Sequence, residues 1–155
     1  MSAVLQITFT NLSGTTFSHD TDGAQMEGGV GSLNEAPGQT LQAMGGVQTM
    51  KYTQNLSVIM AGDAYIYCCW NDGDWRFGVR IYEPIQVLAM GSRPYWEVMH
   101  DHDLWNRSVS GWTRSGSDPA LPYSFPAEIG YQIDCMPYSE HSSLSVNVVI
   151  QPLKT

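Results

Sequence analysis

An all-β sandwich is the fold class this sequence predicts, on three observations. Short runs alternate between apolar and polar residues with the period of two that a half-buried strand requires. Gly, Asn, Asp and Pro clusters separate these runs at close spacing. Nowhere does a 3.6-residue period persist long enough for more than one or two short helices. At 155 residues the chain is expected to be one domain, 1–155, with a core large enough to fold without a disulfide or metal staple.

The elements follow in order. Leu5, Ile7 and Phe9 alternate with Gln6, Thr8 and Thr10 up to the turn signal Asn11-Leu12-Ser13-Gly14, which predicts an opening strand. From Thr15 to Met50 the composition is Gly-rich and polar, and short strands joined by turns are expected. Leu56, Val58 and Met60 predict a strand that turns at Ala61-Gly62-Asp63 into the run from Tyr65 to Trp70. That run and the next, Trp75 to Tyr82, flank Asn71-Asp72-Gly73-Asp74, a hairpin signal in which Gly73 supplies positive φ. Trp75, Phe77, Val79 and Ile81 share one face, and Arg76, Arg80 and Tyr82 the other, so the second strand is expected to be half-buried. The first is amphipathic on both faces, which suits a central strand or a recognition surface. Ile85, Val87 and Leu88 form a short apolar run after Pro84. Pro94 ahead of Tyr95-Trp96-Glu97 predicts one or two turns of helix. Loops follow, bracketed by Trp105 and Trp112 and punctuated by Pro119, Pro122 and Pro126. Ile129 to Cys135 and Leu144 to Ile150 then predict a closing strand pair.

A formal charge of −8 with only seven Lys and Arg leaves no basic footprint for nucleic acid, and none for purely electrostatic docking on anionic lipid. The first residues hold no basic segment followed by an apolar one, so release without a classical signal peptide is expected. Cys68 and Cys69 are adjacent on a strand and point to opposite faces, and Cys135 falls on an inward face, so no structural disulfide is predicted. His100-Asp101-His102-Asp103 has metal-ligand composition but strand spacing, and reads as a solvated acidic loop. The Asp-Gly turns at Asp22-Gly23 and Asp72-Gly73 lack the Glu of a calcium loop. No nucleophile elbow, phosphate loop or zinc helix occurs, and neither an enzyme nor a cofactor is expected.

The chain resembles the actinoporin-like β-sandwich superfamily, which unites sea-anemone cytolysins and fungal fruit-body lectins. The resemblance rests on the opening strand with Asn11-Leu12-Ser13-Gly14-Thr15, on Phe77-Gly78-Val79-Arg80-Ile81-Tyr82, on Tyr95-Trp96-Glu97, on Ser110-Gly111-Trp112 and on the alternating final strand. It implies an actinoporin-like sandwich with one or two short helices. It also implies an aromatic cluster binding a phosphocholine headgroup by cation–π attraction, with Trp70, Trp75, Phe77 and Trp96 inserting and Tyr82 and Tyr95 supplying hydroxyls. His100 and Asp101 stand where the family has two further tyrosines. The family's amphipathic pore helix has no counterpart before Val4, so an inserting segment would come from residues 23–50 or from a second protein.

The expected function is therefore a cytolysin or pore-forming toxin, or the lipid-recognising component of a two-part toxin, acting at a target-cell membrane with lipid or glycan as partner and assembling there. A lectin of the fruit-body type is the alternative, with Trp105, Arg107, Trp112 and Arg114 as sugar-binding residues. The related aegerolysins, lipid binders that recruit a pore-forming partner, are echoed in Tyr67-Cys68-Cys69-Trp70.

Overall fold

The computed structural model describes residues 2–28, 31–55, 64–73, 76–83, 95–101, 113–114, 123–126, 131–140 and 143–152. These form two six-stranded sheets and, among the described residues, no helix. The first sheet comprises β1 (Ser2–Asn11), β3 (Gly31–Glu35), β5 (Gly46–Asn55), β10 (Tyr123–Pro126), β11 (Tyr131–Glu140) and β12 (Ser143–Pro152), in the spatial order β10-β11-β12-β1-β5-β3. The second comprises β2 (Phe17–Gly28), β4 (Thr40–Leu41), β6 (Ala64–Asn71), β7 (Arg76–Glu83), β8 (Tyr95–Asp101) and β9 (Thr113–Arg114), in the order β4-β2-β6-β7-β8-β9. Every pairing is antiparallel except β1 with β12, which run parallel from Leu5↔Leu144 to Asn11↔Ile150.

Alternation decides which side chains go inside. Leu5, Ile7 and Phe9 of β1, Met50 and Tyr52 of β5, Tyr131, Ile133 and Cys135 of β11, and Leu144, Val146, Val148 and Ile150 of β12 are all buried. They belong to one core with Ile66, Cys68, Trp70, Phe77, Val79, Ile81, Trp96 and Val98 of the second sheet. Two inner faces, each built from every second residue, make the dry layer of a sandwich. The opening strand, the β6–β7 hairpin and the closing pair follow the sequence expectation, and Gly73 takes φ 105° in the hairpin turn. All three cysteines are buried and outside any disulfide.

Four expectations are corrected. The expected helix at Tyr95 is strand β8, paired in register with β7 from Tyr82↔Tyr95 to Arg76↔Asp101. Its Trp96 and Val98 alternate inward, a period of two that outweighs the helix-start signal of Pro94. Within residues 15–50, β2 is twelve residues long, and ten-residue β5 begins at Gly46, because Met50 and Tyr52 continue an inward alternation that Thr49, Lys51 and Thr53 interrupt only on the outer side. Pro126 ends a strand rather than a loop, since β10 lies at a sheet edge where a missing N–H costs no ladder bond. Finally, β7 is buried on both faces: Arg76 and Arg80 are enclosed as well as Phe77, Val79 and Ile81. Residues 56–60 and 84–88, where further apolar runs were expected, lie outside the described residues.

The two outer faces therefore differ. On the second sheet, Cys69, Arg76, Arg80 and Glu97 are buried, and Arg80 donates to Glu97 at 2.8 Å across β7 and β8. Gly78 lies against Cys69 so closely that a Cβ there would stand 2.4 Å from Sγ. On the first sheet the outward residues of β1, β5, β11 and β12 whose side chains are described are half-buried or exposed; Lys51 and Asp134 are the fixed charges among them, and exposed Glu35 of β3 is the register partner of Lys51.

Candidate functional site

The aromatic cluster expected at the β6–β7 bend is divided by strand parity. Trp70 and Phe77 form a register pair and both point inward. Trp70 is fully buried, its ring centroid 5.8 Å from that of Phe9 in an edge-to-face contact. Phe77 meets Phe9 at 6.1 Å and Phe17 at 5.2 Å, and Phe17 meets Tyr131 at 5.3 Å. Trp96 is also fully buried. These three rings are core, and the expectation that they insert into a headgroup layer is corrected for them: each sits at an inward position of a strand whose neighbours already fill that face. Trp75 lies outside the described residues.

Tyr82 and Tyr95 do come together. They are cross-strand partners on the outer face, with ring centroids 4.9 Å apart and planes tilted 35°. Both are half-buried. They stand six residues along the strands from the Asn71–Arg76 end of the hairpin, roughly 20 Å at strand rise, so they and the bend occupy opposite ends of the sandwich. Of the alternative sugar-binding residues, Trp105, Arg107 and Trp112 lie outside the described residues. Arg114 is paired in register with Glu97, its side chain outside the described set. His100 and Asp101 end strand β8 rather than opening a loop, while His102 and Asp103 are not among the described residues.

The end of the sandwich that holds the bend carries another feature. Residues 11–15 turn from β1 into β2, and residues 42–46 turn from β4 into β5. Asn11, fully buried, joins them. Its Nδ2 donates to the carbonyls of Thr15 at 2.7 Å and Leu41 at 3.2 Å, while its Oδ1 accepts from the Ser13 amide at 3.1 Å and the Ser13 hydroxyl at 2.6 Å. The backbone completes the lock: Gly45 N–H donates to Asn11 O at 2.6 Å, Met44 N–H to Ser13 O at 2.9 Å, and Leu12 N–H to Ile150 O at 2.7 Å. A buried amide with donor and acceptor both engaged fixes both turns in one geometry.

This lock presents three large apolar side chains to solvent, beside exposed Thr16 and Gln42. Leu12 is 46% exposed, Met44 80% and Val47 55%. Met44 is held at φ 62°, in the left-handed region that costs a side-chain-bearing residue about 1–2 kcal/mol, and Gly45 follows at φ 116°. The two segments that build the turns, residues 3–18 and 36–50, contain no Asp, Glu, Lys or Arg, in a chain whose net charge is −8. At the neighbouring bend Asp72 accepts a hydrogen bond of 3.1 Å from the Tyr131 hydroxyl. Burial pushes the Tyr131 phenol well above its ordinary range, and the charge of Asp72 adds to this. Sequence reasoning missed the apolar tip because isolated Leu, Met and Val in Gly-rich stretches carry no periodic signal; Asn11-Leu12-Ser13-Gly14 marked only a turn.

No family model matches this chain, and no curated protein matches it. Among the described residues no helix is long and apolar enough to cross a membrane.

Proposed function

We propose that this protein acts at the surface of a target membrane, as a cytolysin or as the lipid-recognising component of a two-part toxin, and that it docks through the end of the sandwich bearing Leu12, Met44 and Val47. The observation that supports this reading most directly is the exposure of Leu12 and Met44 on two interlocked turns, with exposed Val47 at the start of β5 beside them, in segments free of charge. A rigid tip inserts without losing conformational entropy, and a tip free of charge inserts without desolvating an ion. Tyr82 and Tyr95, at the far end, fall outside that contact.

The magnitude sets the mode of action. Fully burying a Val, Leu or Met side chain is worth about 1.5–3 kcal/mol, and each of the three is already partly covered. Together they supply on the order of 3–5 kcal/mol, which corresponds to millimolar affinity. One tip is therefore a weak anchor, and durable binding needs assembly of several copies or a second contact. The test is flotation of the purified chain with phosphatidylcholine and with phosphatidylcholine–sphingomyelin vesicles, accompanied by calcein release. Flotation of wild type and its loss in a Leu12→Ser/Met44→Gly double variant are expected. Wild-type protein that stays at the bottom of the gradient with every vesicle overturns the proposal, and flotation without release assigns the chain to the recognition half of a two-part system.

A further inference from the structure

Asn11-Leu12-Ser13 is more than a turn signal. Asn-X-Ser, with X other than Pro, is the acceptor pattern for N-glycosylation, and the chain carries it here, at Asn55-Leu56-Ser57 and at Asn106-Arg107-Ser108. The side chain of Asn55 and the whole of 106–108 lie outside the described residues, whereas the first acceptor is fully described. It is shut. Asn11 is fully buried and Ser13 is 2% exposed. Both Nδ2 hydrogens are committed, to the Thr15 carbonyl at 2.7 Å and to the Leu41 carbonyl at 3.2 Å. The Ser13 hydroxyl donates to Asn11 Oδ1 at 2.6 Å, and the Ser13 amide to the same oxygen at 3.1 Å.

From these contacts we infer that Asn11 is a glycan acceptor closed by the fold, so that a sugar on Asn11 and the native sandwich exclude each other. In the transfer, the bond from the sugar's anomeric carbon to the diphosphate of an activated donor breaks and that carbon bonds to Nδ2. One Nδ2 proton leaves, and the diphosphate departs. The carbon then replaces a hydrogen aimed at a carbonyl. A C–N bond is about 1.45 Å long, so the carbon would sit roughly half-way to an oxygen only 2.7 or 3.2 Å from Nδ2, far inside van der Waals contact. Turning the amide over gives no relief, because it would set Nδ2 against the two Ser13 donors. Folding and modification therefore compete for one atom. The groups that shut Asn11 come from Leu41, from Gly45, whose N–H donates to Asn11 O, and from Ile150, which accepts from Leu12 N–H. An unfolded chain leaves the acceptor open until β4, β5 and β12 have all joined β1. The productive route of this protein to its target accordingly avoids any compartment holding an Asn-glycosylating enzyme.

This inference stands independently of the membrane-docking reading. Its test is co-expression of the wild-type chain, in a bacterial cytoplasm, with a soluble N-glycosyltransferase that adds one glucose from UDP-glucose to Asn-X-Ser. Hexose occupancy at Asn11 is then read by peptide mass spectrometry in the soluble and insoluble fractions separately. Occupancy at Asn11 should be at least ten-fold lower in the soluble fraction, whatever the occupancy at Asn55 and Asn106. Purified folded protein treated with the same enzyme should gain no hexose at Asn11. Ser13→Ala destroys the acceptor pattern and keeps the backbone amide that Asn11 Oδ1 accepts from, so this variant should give several-fold more soluble protein than wild type under co-expression. Equal occupancy at Asn11 in the two fractions, or a hexose at Asn11 of the folded protein, overturns the exclusion. A co-expressed chain with no hexose at Asn11 in either fraction overturns the acceptor itself.

Discussion

Met44 combines a strained backbone with an exposed apolar side chain, and a single substitution removes both with opposite expected effects on stability and on binding. Met44→Gly relieves the left-handed conformation and removes the thioether, so stability should hold or rise by about 0.5–1 kcal/mol while vesicle flotation weakens. Urea titration beside flotation checks both halves, and a variant that loses both together would make the side chain structural. Asn11 is the opposite case. Asn11→Ala removes at once the acceptor of the Ser13 amide and the donor to the Leu41 carbonyl, while the Ser13 hydroxyl and the Thr15 carbonyl keep each other at 3.3 Å, and a loss of about 1–3 kcal/mol in chemical denaturation is expected. Sequence alone marked Asn11 as a turn former and Cys135 as an inward thiol. It could not distinguish a fully engaged buried amide from an ordinary turn residue, because Thr15 is local but Leu41 lies thirty positions away. Burial, and secondarily the charge of Asp134, pushes the Cys135 thiol up to about 12. With Cys68 and Cys69 also buried, native protein should resist an aromatic disulfide reagent at neutral pH and react only after denaturation.

At the scale of elements, the strands that alternate strictly were legible and those that do not were missed. β1, β11 and β12 announce themselves because their inward positions from Leu5 to Phe9, Tyr131 to Cys135 and Leu144 to Ile150 are all apolar. β8 was hidden by its mixed composition, Tyr95-Trp96-Glu97-Val98, in which the outward glutamate finds its partner only when β7 brings Arg80 alongside. Register between strands is a non-local property, and so is the fate of the aromatic rings. Trp70 and Phe77 look like a surface cluster beside a polar turn until the facing sheet supplies Phe9, and β2 of their own sheet supplies Phe17, to cover them. Within the β6–β7 pairing, Gly78 leaves no room for a Cβ. Gly78→Ala forces Cys69 Sγ and the Cys68 carbonyl apart, at an expected cost of about 1–3 kcal/mol, and a paired Gly78→Ala/Cys69→Ala variant should recover part of it in thermal unfolding.

For the molecule as a whole, the alkaline limb of its stability curve follows from buried neutral acids. Cys135 is raised from 9.0 to about 12, and Tyr52 and Tyr131 are both raised above 10.0, by burial first in each case. The unfolded chain releases these protons at lower pH than the folded one, so the folded state binds more protons above pH about 9, and stability falls as pH rises through that range. The urea midpoint should drop between about pH 9 and 12, and Cys135→Ala should flatten the early part of the fall. A midpoint constant up to about pH 12 would contradict the burial of these groups. The two-sheet architecture was legible from alternation and turn spacing, whereas its most consequential long-range feature was not. β1 lies beside β12 in parallel, and the Val4 amide reaches Ser143 Oγ at 2.9 Å across a separation of 139 residues. A ribosome delivering this polypeptide exposes its first strand long before the neighbour that completes it has been synthesised, so the central pairing of that sheet can close only after translation has passed Pro152. A cell making such a protein thus holds nascent chains without a finished sandwich, and prematurely terminated products lacking β12 should be cleared by proteolysis instead of accumulating as folded material.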